Sequence, residues 1–218
     1  MHQHLAQTSA AGAIALLALL ATVLAGLTLG LRCRPWRWAL IAGAVGGGVF
    51  QLGHFAEHVA QVGYWALHTD KAPWMTPWAS ALADSFGRLA PGTSGFGMEA
   101  LHLVGNAIFL AGAVAILTWV VRNGPVSSHR PARAGVAVQS VHVVEHVALT
   151  VSVIVGSRPR GLSTLFGTLD PGPGLWTYRV WWHLTVNAVA TTLLAVALAR
   201  AHRRHTARAA RPSPALAG

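Results

Sequence analysis

The sequence predicts an all-α integral membrane protein of five transmembrane helices. Spans 2–3 and 4–5 are two copies of one helical hairpin that form a pseudo-two-fold four-helix bundle, with span 1 added. Three observations lead there. Of the 218 residues, 53% are apolar and only 10% are charged, a balance that marks membrane proteins. The apolar residues gather into runs of about 20 or more, the length that carries a helix across a bilayer. Finally, Gln51-Leu-Gly-His54-Phe-Ala-Glu57-His58-Val-Ala60 recurs as Gln139-Ser-Val-His142-Val-Val-Glu145-His146-Val-Ala148, identical at six of ten positions.

The net charge of +10 and the pI near 11.7 suggest nucleic acid at first sight. The basic residues sit at the ends of apolar runs, however, and not on a polar domain, so nucleic acid is excluded as a partner. The single cysteine, Cys33, excludes an internal disulfide and any cysteine-based zinc or iron–sulfur site.

The whole chain, residues 1–218, reads as one membrane domain. Span 1 covers 11–31; charges follow it and no basic residue precedes it, which argues for an uncleaved span over a signal peptide. Span 2 begins near Trp38 and runs to Leu67, with Gly43, Gly46, Gly47 and Gly48 ahead of the first motif. Small residues there either admit a neighbouring helix or weaken their own. A polar connection rich in Pro, Gly and Trp leads to span 3, Met98 to Val121. Span 4 covers Ala134 to Val155 and span 5 Tyr178 to Ala199, so repeat A occupies 38–121 and repeat B 134–199, with a basic tail over 200–218.

Two further matches support the duplication. Phe86-Gly-Arg-Leu-Ala-Pro91-Gly92 pairs with Phe166-Gly-Thr-Leu-Asp-Pro171-Gly172, and His102-Leu-Val-Gly-Asn106 with His183-Leu-Thr-Val-Asn187. Parallel repeats are related by an axis along the membrane normal.

Arg32, Arg34, Arg37, Arg122, Arg130, Arg133 and the five arginines of the tail lie on one side, whereas Asp70, Asp84, Glu99 and Asp170 lie on the other. The positive-inside rule then gives a multi-pass protein of the bacterial cell membrane, N-terminus outside and C-terminus cytoplasmic. Trp36, Trp38 and Trp119 mark the inner boundary, and Trp65, Trp74, Trp78, Trp176, Trp181 and Trp182 the outer one.

At about 100° per residue, Gln51, His54, Glu57 and His58 share one face of a helix. Ionisable residues inside a span are costly and need partners. His54, Glu57, His58, His102, His142, Glu145, His146 and His183 all come to one depth, eight ligands for two metal ions. Glu57 and Glu145 are expected to bridge or ligate. Gln51, Asn106, Gln139 and Asn187 recur one or two turns away as groups that orient the imidazoles. Glu99, three residues before His102, is an extra ligand, a proton relay, or an acid favoured by the helix N-terminus.

Imidazole and carboxylate suit iron, copper, zinc or manganese, so the ligands alone do not choose the metal. The ligand type is similar to that of integral-membrane histidine-box oxygenases and desaturases, although their longer box spellings are absent. That likeness implies a di-iron oxidoreductase acting on a lipophilic small molecule and served by an electron donor. Haem b held by histidine pairs for electron transfer, and metal-ion or proton transport, are the alternatives. His-x-x-Glu-His also spells a zinc hydrolase motif, but one hydrolytic zinc needs a single copy. Hydrogen-bonding glue between helices explains neither the two carboxylates nor the repetition.

Overall fold

A computed structural model of the chain describes residues 36–68, 74–156, 158–164 and 176–209. Five helices run in order: α1 Trp36–Leu67, α2 Pro77–Gly87, α3 Phe96–Asn123, α4 Val126–Gly156 and α5 Trp176–Ala209, with a 3₁₀ turn at Leu162–Thr164 before α5. No strand occurs among the described residues. Phe96–Asn123, Val126–Gly156 and the Arg179–Arg204 part of α5 are long and apolar enough to cross a membrane. Helix α1 has 32 residues, about 48 Å at 1.5 Å per residue.

Four of these helices, α1, α3, α4 and α5, cover the residues predicted as spans 2–5, and α2 is not one of the predicted spans. Span 1, the 166–172 loop, Asp70, Asp170 and the end of the tail lie outside the described residues. The fifth helix is α2, inside the connection read as polar loop. Its start has a local cause: Thr76 caps the first turn by accepting from the Ala79 N–H, and Pro77 follows in a position that needs no N–H. The loop expected over 122–133 shrinks to Gly124-Pro125, because Arg130 and Arg133 ride on the first turns of α4. Pro131 lies inside that helix and leaves the Ser127 carbonyl without its intrahelical donor. Arg200 Nη1 supplies the bond at 2.8 Å. Helix α5 runs on through the basic tail as far as Ala209, and Arg200 ties it to the start of α4.

Helix α1 packs on α3, α3 on α4, α4 on α5, and α5 back on α1. Toward the α3–α4 connection the core is apolar: Phe109, Ile116 and Val120 of α3 meet Ala132 of α4 and Ala190, Leu194 and Ala197 of α5. Toward the other end the interior also holds buried polar residues, including Gln51, Glu57, His58, Asn106, Gln139, His142, Glu145, His146, His183 and Asn187, beside a second apolar cluster of Ala90, Phe96, Ala100 and Val153. Valines instead cover much of the outside, with Val45, Val49, Val141, Val144, Val155 and Val189 exposed. Apolar residues outside and polar residues inside are the distribution expected in lipid.

Of the two readings of the glycine run, close approach holds at Gly43 and Gly47, whereas a Cβ on Gly48 would meet nothing within 4 Å. A Cβ on Gly47 would lie 2.6 Å from Gly112 Cα, and one on Gly43 would lie 3.2 Å from Ala115 Cβ. The backbones of α1 and α3 meet at Gly47 and Gly112 because neither residue carries a side chain.

Candidate metal centre

Helical spacing sets the histidines. His54 and His58 lie one turn apart on α1, and His142 and His146 one turn apart on α4. His102 comes from the second turn of α3 and His183 from the third turn of α5. They form two groups, His54/His58/His102 and His142/His146/His183, within each of which one ligand atom per residue lies within 4.8 Å of the others. The groups adjoin. Ring centroids of His102 and His146 are 5.5 Å apart, and those of His58 and His183 are 5.7 Å apart. Each triad comes from one hairpin, α1 with α3 or α4 with α5.

The main chain fixes which nitrogens face inward. His102 Nδ1 lies 2.8 Å from the Met98 carbonyl and His183 Nδ1 lies 2.7 Å from the Arg179 carbonyl. A carbonyl only accepts, so in both rings Nδ1 carries the proton and Nε2 keeps its lone pair. His58 Nδ1 points at Gln61 Oε1 at 3.2 Å, and its Nε2 lies 3.0 Å from His54 Nε2. Two Nε2 atoms that close either share a proton or converge on a cation.

His54 Nδ1, His142 Nε2, both nitrogens of His146 and His183 Nε2 are buried with no hydrogen-bond partner. Leaving a buried polar group unpaired costs about 1–3 kcal/mol. This concentration of bare imidazole nitrogens fits a transition-metal site, since neutral imidazole presents its lone pair to such an ion.

Neither carboxylate belongs to a triad, and both accept bonds from the loops that follow them. Glu57 Oε1 accepts from the Thr76 N–H at 2.9 Å and from Gln61 Nε2 at 3.1 Å, while Oε2 accepts from Thr76 Oγ1. Glu145 Oε1 accepts from the Ser163 N–H at 2.7 Å, and Oε2 from Trp182 Nε1 at 2.7 Å. Glu145 Oε2 also lies 3.4 Å from His142 Nδ1. Each carboxylate thus ties the following loop to the bundle, and each stands behind an imidazole: Glu57 through Gln61 behind His58, Glu145 directly behind His142. A carboxylate in that place sets the tautomer and basicity of a ligating histidine.

The amides form a layer one turn away. Gln51 Nε2 donates to Asn187 Oδ1 at 3.0 Å, and Asn187 Nδ2 donates to the His183 carbonyl. Gln139 Nε2 donates to Asn106 Oδ1 at 2.9 Å, and Asn106 Nδ2 to the His102 carbonyl. They brace the helices that carry the histidines, and these bonds go to side-chain and backbone oxygens rather than to the rings. Glu99 is buried in the first turn of α3 and meets Arg179 Nη2 with both oxygens, at 2.5 and 2.7 Å.

A cavity of about 170 Å³ opens beside the first triad between α1, α2 and α3, with His54, Glu57 and His102 in its lining. Residues 1–213 match the family model of DUF6008, a family of unknown function. The chain belongs to that family. No curated protein and no solved structure matches it.

The triads therefore have to be read on their own chemistry. Several contributing residues escape the sequence pattern. Gln61 lies one turn past Glu57 and was within reach of helical spacing. Thr76, Ser163 and Trp182 are distant in sequence from the carboxylates they bind and carry no local signal. Arg179 lies at the start of the predicted fifth span, and its guanidinium joins α5 to α3 through Glu99.

Proposed function

We propose that this chain is a multi-pass membrane metalloprotein whose two histidine triads hold a di-metal centre, with iron as the metal and oxidation of a lipophilic small molecule as the activity. The observation that carries it is the set of buried imidazole nitrogens left bare in two adjoining triads. Iron there would supply electron-transfer chemistry toward oxygen at a centre shielded from water. The chain's own residues do the rest. The carbonyls of Met98 and Arg179 hold the Nε2 atoms of His102 and His183 inward. Glu145 keeps the His142 Nδ1 proton in place, which frees its Nε2.

Matched contacts support the duplicated hairpin. Gln51 to Asn187 has its counterpart in Gln139 to Asn106, and Glu57 with the Thr76 N–H has its counterpart in Glu145 with the Ser163 N–H. The amide pairs cross between hairpins, so the copies are braced against each other at the depth of the site.

The test is elemental analysis with an optical spectrum of protein purified from membranes. Two irons per chain without a Soret band are expected. A Soret band would select haem b instead, and protein-dependent metal flux in vesicles would select transport.

A further inference from the structure

We infer that the triads are unequal, and that the first faces a pocket for a neutral apolar group, a benzene-sized ring or a short alkyl chain, reached from the lipid. This rests on the metal reading above and narrows its substrate class.

Size is the first argument. The cavity beside His54 and His102 measures about 170 Å³, and an engineered apolar cavity of about 150 Å³ takes up benzene. Chemistry is the second. The walls are Val49, Phe50, Met75, Trp78, Leu82 and Leu101. The ionisable residues in the lining are His54, Glu57 and His102. Glu57 has both oxygens occupied by Thr76 and Gln61, so it offers a ligand no strong anchor. A charged or strongly polar molecule would lose hydration there without compensation.

Access is the third argument. Val49, Trp78 and Leu82 line the cavity and are also exposed, at 65%, 51% and 42%. The rim is thus apolar and continuous with the valine-rich outer face of α1, which fits arrival from hydrocarbon rather than water. Helix α2 forms the outer wall, and the bonds from Thr76 to Glu57 hold its first turn to α1. Gly53 and Gly105 both line the cavity, but the Phe50 ring already packs on Gly105, 2.9 Å from where a Cβ would sit, so the room lies at Gly53. A Cβ on Gly53 would meet nothing within 4 Å, so the space beyond it is open.

The second triad is set differently. His142, His146 and His183 are all buried, whereas His54 and His102 are only partly so. Gly161, next to the 3₁₀ turn, packs against Leu149 and Glu145, and Ser163 in the turn is buried on Glu145. The first triad is the substrate-facing one and the second is enclosed.

The test uses the full-length protein in lipid nanodiscs, loaded with cobalt(II), and pyridine as the probe. Pyridine is neutral, benzene-sized and able to ligate. It is expected to shift the visible bands of one of two bound cobalt ions. Gly53→Leu, which fills the open space, should keep both cobalt ions and weaken the pyridine response at least tenfold. Leu82→Trp fills the same space from α2 and serves if Gly53→Leu does not load. Val141→Phe, on the exposed face of α4, should change nothing. Pyridine-3-sulfonate, of similar size but charged, should act at least tenfold more weakly than pyridine. Two cobalt ions with a pyridine response untouched by both filling variants, or an equal response to the sulfonate, would overturn the pocket and leave the metal reading standing. A wild-type protein that binds no stoichiometric cobalt would remove both.

Discussion

Gln51 Nε2 lies 3.0 Å from Asn187 Oδ1, joining α1 to α5 one turn from His54 and one turn from His183. Both residues are buried, at 2% and 0% exposure, so neither has water as a substitute partner. Replacing Gln51 by Leu strands the Asn187 oxygen and should lower stability by about 1–3 kcal/mol. Asn187→Leu should cost a similar amount, and the double variant less than the sum, because the two residues share one bond. Unfolding of the four proteins in one detergent checks this; full additivity would mean that the bond is not formed.

The carboxylates give a graded prediction. Glu145→Gln leaves the His142 ring in place but puts an amide where Ser163 N–H and Trp182 Nε1 donate. Metal affinity should fall about 10–100-fold, the usual effect of losing a group behind a ligating histidine. His183→Ala removes a triad member and should empty its site outright. Metal titrations of both variants tell the roles apart, since equal and complete loss would make Glu145 a ligand.

Gly47 and Gly53 are contrasting positions on one helix. A Cβ at Gly47 meets the α3 backbone, whereas one at Gly53 meets open space. Gly47→Ala should separate α1 from α3 and destabilise by about 1–3 kcal/mol, as overpacking does. Gly53→Ala should be neutral or slightly stabilising, since alanine favours helix over glycine. Thermal unfolding of the two variants decides, and a neutral Gly47→Ala would refute the close approach.

How much of this the sequence shows depends on the range of each interaction. The six histidines were legible because ionisable residues inside apolar runs, at i and i+4 and written twice, have no cheap alternative to a shared site. The carboxylate roles were not, because Thr76 and Ser163 lie 19 and 18 residues beyond the glutamates they bind. Helix α2 was masked by the Pro, Gly and Trp around it, although Thr76-Pro77 is a helix-start signal. The short α3–α4 connection was missed because arginines were read as loop residues, when they also suit helix ends.

The arginine distribution predicts a cytoplasmic C-terminus, which labelling can check. In a Cys33→Ser background, Asp84→Cys on the exposed face of α2 should react with a membrane-impermeant maleimide in intact cells. Arg204→Cys, exposed near the end of α5, should react only after permeabilisation. The reverse labelling would invert the topology and place the pocket on the cytoplasmic side.

The central claim is that each histidine triad holds one ion, and the metal-to-protein ratio tests it most directly. Protein purified from membranes should carry two iron ions per chain. His58→Ala and His146→Ala should each lower the ratio to near one, and the double variant to none, while all three keep the helical content of the wild type. A wild type without stoichiometric transition metal, or a ratio unchanged by both substitutions, would contradict the account.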